Sequence, residues 1–110
     1  MGRYDEAQAT KDGLFELGEV MVSKDAAQIL ERERMPAQSI IDSHACGDWG
    51  DVSTKIWTEN DFAVGNGNRR VLSYLIVPNC EGIVIITARD RSETVVMAID
   101  EFCLPESALV

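Results

Sequence analysis

Three runs of branched residues, Val71 to Val77, Ile83 to Ala88 and Glu93 to Ile99, dominate the second half of this 110-residue chain. Turn-rich stretches divide them: Pro78-Asn79-Cys80-Glu81-Gly82 and Arg89-Asp90-Arg91-Ser92. Short β-rich runs joined by tight turns form hairpins, so this half is expected to be a three-stranded antiparallel meander.

The first half obeys a different period. Leu14 to Val22 is a strand candidate in which Gly18 interrupts the alternation and suggests a bulge. Ser23 then suits a helix N-cap, with Asp25 in the first turn to complement the dipole. Ala26, Ile29 and Leu30 share one face of this first helix, and Met35-Pro36 ends it. Pro36 can open a second helix, on which Ala37, Ile40, Ile41 and Ala45 form an apolar stripe and which Gly47 ends. Asp48 or Asp51 is the expected cap of a third helix running to about Val64, with Val52, Ile56 and Ala63 facing a sheet. Gly65-Asn66-Gly67-Asn68 breaks the chain before the meander. The expected architecture is α+β: a strand, three helices, then the meander in an antiparallel sheet, with the helices packed on one face. The expected organisation is a flexible leader at 1–12, a single domain at 13–104 and a tail at 105–110.

Formal net charge is -9, and the charge is uneven. Residues 1–62 hold thirteen carboxylates and six Lys/Arg, and residues 63–110 hold six and four. Clustered cations, which direct nucleic-acid binding requires, are therefore lacking. An acidic front half is instead suited to a basic protein surface, although acidity also serves solubility alone. No apolar run is long enough to cross a bilayer, and Met-Gly-Arg-Tyr-Asp-Glu lacks the form of a signal peptide, so a cytoplasmic location is expected. Cys46, Cys80 and Cys103 are odd in number and widely spaced, which suits reduced thiols packed as small apolar side chains. A zinc site with His44 would need closely paired ligands that this chain lacks, so no metal and no cofactor is expected.

His44-Ala45-Cys46-Gly47-Asp48-Trp49-Gly50-Asp51 concentrates the chemically distinctive residues. His44 is the chain's one histidine and falls near the end of the second helix, where an imidazole either works as an acid or base or simply caps and packs. Asp48 is its nearest carboxylate partner, and with His44 forms a weak catalytic candidate. Trp49 either fastens the corner between helices or stands exposed as an anchor. Arg69 and Arg70, with Arg89 and Arg91 at a hairpin tip, form either a small positive spot or a set of internal ion pairs.

The corner, then Asn60, Arg70-Val71-Leu72-Ser73 and the hairpin Ile85-Ile86-Thr87-x-x-Asp90-Arg91-Ser92-x-Thr94, resemble a family of short bacterial proteins of unknown function. That family is common on plasmids, integrative elements and phage-like islands. The resemblance spans roughly residues 14 to 100, and departs from the family at Tyr74-Leu75 and in the cysteines. It implies mobile-element cargo such as an anti-restriction or anti-CRISPR inhibitor. The corresponding expectation is a non-catalytic module that occupies a basic, nucleic-acid-binding host complex. Asp25, Glu31, Glu33, Asp48, Glu59 and Asp61 would attract that complex, with Trp49 or Trp57 as anchor and Arg89 and Arg91 in contact. A small hydrolase or nuclease using His44 and nearby Asp and Arg is the alternative. A homodimer formed through an unpaired edge of the meander is a third.

Overall fold

The computed structural model describes residues 2–3, 13–78 and 81–102. Its elements run β1 (Gly2–Arg3), β2 (Glu19–Val22), α1 (Lys24–Arg32), α2 (Ala37–Ala45), α3 (Thr54–Asn66), β3 (Val71–Val77), β4 (Glu81–Thr87) and β5 (Glu93–Ala98), with a 3-10 turn at Ile99–Glu101. The fold is α+β, with three helices and one mixed sheet in the order β1-β2-β5-β4-β3. Two of the expected segment limits, the leader beyond Gly2–Arg3 and the tail, lie outside the described residues. Gly2 and Arg3 pair with Val22 and Met21.

The three meander strands form as expected: β3 pairs antiparallel with β4, and β4 with β5. The sheet as a whole is not antiparallel, because β2 lies parallel beside β5. The strand read over Leu14–Val22 is also shorter than its pattern suggests. Gly18 adopts φ +65°, and a Cβ there would collide with the backbone of Arg91 and Ser92, so pairing begins only at Glu19.

Ser23 caps α1 by accepting the Ala26 N–H at 3.1 Å. Arg34, at φ +57°, turns the chain out of that helix, and Gly47, at φ +87°, follows the end of α2. The cap of α3 is neither Asp48 nor Asp51 but Ser53, whose hydroxyl accepts the Ile56 N–H. Asp51 is engaged elsewhere: its N–H donates to Tyr74 C=O, and its carboxylate accepts the Ile76 N–H.

The helices do not share one face. Side chains alternate along a strand, so Leu75 and Val77 of β3 and Ile83 and Ile85 of β4 point one way. They join Ile29 and Leu30 of α1 and Ile40 and Ile41 of α2 in the main core. Leu72, Tyr74 and Val84 point the other way and meet Val52, Ile56, Ile99 and Phe102. α3 straddles the outer edge of β3, because its Ala63 and Val64 reach a third cluster around Trp49 and Val71. The apolar residues of this helix are spread over two clusters, which a single-stripe reading does not anticipate.

The chain crosses from α2 to α3 along that edge and seals it. Tyr74 donates its N–H to Trp49 C=O, and Gly50 makes a parallel bridge to Tyr74. Further along, on α3, the Asn60 side-chain amide donates to Leu72 C=O at 2.7 Å and its oxygen accepts the Leu72 N–H at 3.1 Å. Outward backbone groups of an edge strand would otherwise invite another strand. Gly50, at φ +78°, has no room for a Cβ beside Tyr74 C=O.

Candidate functional site

His44 lies at the centre of the molecule's polar interior, 1% exposed beneath α2. β3 and β4 present hydroxyls to it from one end of the main-core face, and β5 adds a third behind them. Ser73 Oγ lies 2.5 Å from Nδ1, and Thr87 Oγ1 lies 2.9 Å from Nε2. Thr87 continues to Thr94 at 2.7 Å, and Thr94 donates to Leu17 C=O at 2.8 Å.

The last bond fixes all the others. A carbonyl only accepts, so Thr94 commits its one proton to Leu17. Thr94 therefore accepts from Thr87, Thr87 accepts from Nε2–H, and the bare Nδ1 accepts from Ser73. The imidazole is thus the neutral Nε2–H tautomer. Burial, aided by the nearby Arg91 charge, lowers its pKa to about 3. Phe15 and Trp49 pack edge-on against the ring. A proton arriving on Nδ1 would create a buried cation with no carboxylate among the described residues bonded to it, so this arrangement suits structure better than acid–base work.

Trp49 is 0% exposed, which removes it as a surface anchor. It stacks on Phe15, and its indole N–H donates to Asp61 Oδ1 at 3.1 Å. Asp61, assigned to a docking surface by its charge, is thereby also a partner of the corner. Asp48 is exposed and makes no hydrogen bond to His44; its Oδ1 accepts the Gly50 N–H at 3.4 Å.

Arg91 turns inward. Its guanidinium donates to the carbonyls of Arg69, Ala88 and Ala63 and covers the Phe15 ring, and burial lowers its pKa from the ordinary value. Arg69 stacks on Phe62, so the four arginines do not stand as a free positive spot. Arg89 is exposed.

Among the acidic candidates, Glu33 pairs with Arg32, which also reaches Glu81. Asp25, Glu31 and Glu59 are exposed and make no ion pair among the described residues. They do not form one layer: α1 packs on the main-core face, whereas α3 straddles the outer edge of β3. Trp57 is 38% exposed on α3. Cys46 is an exposed free thiol rather than a packed one, and Cys80 and Cys103 lie outside the described residues. Among the described residues, no group of three or more His, Cys, Asp or Glu could hold a metal ion, and no helix is long and apolar enough to cross a membrane.

A cavity of about 240 Å³ opens between α2 and β3. Ser73, Ile85, Trp49 and Tyr74 form its buried floor, and Met35, Ser39, Ser43, Asp48, Gly50 and Leu75 form its more open rim. Sequence reasoning did not find it, because its walls come from separate segments. A serine interrupting the apolar run of β3 was the one local signal.

Compared with protein-family models, with curated proteins and with solved structures, the chain matches none.

Proposed function

We propose that this protein is a non-catalytic binding module that docks on a basic protein surface, in keeping with the inhibitor role implied by its resemblance to mobile-element proteins. The observation that carries this reading is the contrast between polar groups committed inside and carboxylates left available outside. Asp25, Glu31 and Glu59 face solvent without an ion-pair partner among the described residues. Such charges steer encounter and set partner choice. The hydrolytic alternative is weakened by the imidazole, whose protons are fixed by hydroxyls and whose pKa is about 3.

The docking charge comprises two patches, one on α1 and one on α3, so they can be tested separately. A captured partner is purified and its affinity measured across a salt series. Asp25→Lys with Glu31→Lys, and separately Glu59→Lys, are then compared with the parent. Binding is expected to weaken steeply with salt and with at least one reversal. Affinity insensitive to salt and to both reversals overturns the proposal.

A further inference from the structure

We infer that the cavity between α2 and β3 is a socket for a cationic side chain, lysine or arginine, contributed by the basic partner; this rests on the docking reading above. The argument starts from the protons. Ser73, 3% exposed, lies on the cavity floor, and its single proton is committed to His44 Nδ1. What its oxygen offers the cavity is therefore lone pairs. Ser39, on the rim, commits its proton to Pro36 C=O at 2.7 Å, and its oxygen is left in the same condition. Asp48, also on the rim, is a carboxylate and only accepts.

Three of the cavity's polar side chains are thus acceptors with nothing left to donate. Met35, Ile40, Leu75 and Ile85 supply apolar walls. The Ser43 hydroxyl, also on the rim, can donate or accept, but an anion would bring its charge against the Asp48 carboxylate. An ammonium or guanidinium only donates, carries the opposite charge, and arrives on an apolar stem of the kind that buries well along such walls. Pockets of this build, mostly apolar with a few converging polar groups, are the usual form of a specific site.

The test titrates the full ¹⁵N-labelled chain, at constant ionic strength, with n-butylammonium, n-butylguanidinium, n-butanol and butyrate. Saturable amide shifts at Gly50, Ser73 and Leu75 are expected with either cation and not with butanol or butyrate. Asp48→Asn, at an exposed position, leaves the fold intact and is expected to weaken cation binding about tenfold, the loss typical of a hydrogen bond to a charged group. Butanol shifting the same amides with equal affinity, or unchanged affinity in Asp48→Asn, overturns the socket. The same variant is then measured against the purified partner, where a similar loss supports a side chain as the occupant and no loss overturns it. The amine titration needs no partner, so a failed socket leaves the salt dependence of docking intact, and failed docking leaves the amine result intact.

Discussion

The corner at residues 44–51 and the exposed surfaces of α1 and α3 are both rich in polar side chains, yet they use them in opposite ways. At the corner, the imidazole, the indole N–H and the outward backbone of β3 all find partners within the chain. On the helices, Asp25, Glu31 and Glu59 find none among the described residues. The most distinctive residue types are thus the ones committed inside the fold. His44 and Trp49 are enclosed and partnered, while these carboxylates are exposed and make no ion pair among the described residues.

Removing a corner residue gives the largest effects. Trp49→Ala empties a fully enclosed site and strips Asp61 of its donor, and is expected to cost about 3–5 kcal/mol in denaturant unfolding. A loss below about 1 kcal/mol would return Trp49 to the surface set. Asn60→Ala leaves the Leu72 N–H and C=O without their side-chain partners, and about 2 kcal/mol is expected, with faster hydrogen exchange at the Leu72 amide. Unchanged exchange there would mean the edge is not sealed as described.

Acid should expose the interior as well. The folded pKa of His44, about 3, lies below its unfolded value of 6.5, so the unfolded chain binds more protons between these limits. His44's contribution is complete above about pH 6.5 and is lost as pH falls toward 3, with a slope approaching about 1.4 kcal/mol per pH unit. His44→Gln should flatten that slope, and equal slopes in parent and variant would show that carboxylates alone govern it. The smallest effect belongs to the helices: Glu31→Lys and Glu59→Lys, away from the helix N-termini, are expected to shift stability by less than about 0.5 kcal/mol while altering partner affinity. A large fall in melting temperature would erase the distinction between the two regions.

Much of the fold was legible because its signals are local. The turns flanking Val71–Val77 and Glu93–Ala98, Ser23 as a cap, and Gly47 at a helix end each depend on a few neighbouring residues. What escaped depends on distant ones. Ser73 and Thr87 lie 29 and 43 residues from His44, and only the sheet register brings their hydroxyls to one ring. The passage of α3 across the edge was hidden because its apolar residues serve two clusters. Asp51 looked like a helix cap because its backbone partner, Ile76, is 25 residues away. Hydroxyls inside otherwise apolar strands, at Ser73, Thr87 and Thr94, were the available hint of a buried polar thread.

The seal on β3 also has an order in time. Residues 49–51 and Asn60 precede Val71–Val77 in the sequence, so during synthesis the cover leaves the ribosome before the strand it covers. The hydrophobic ribbon never has to wait for its guard to be made, and a nascent copy has its own edge partner to hand before a neighbouring chain can offer one.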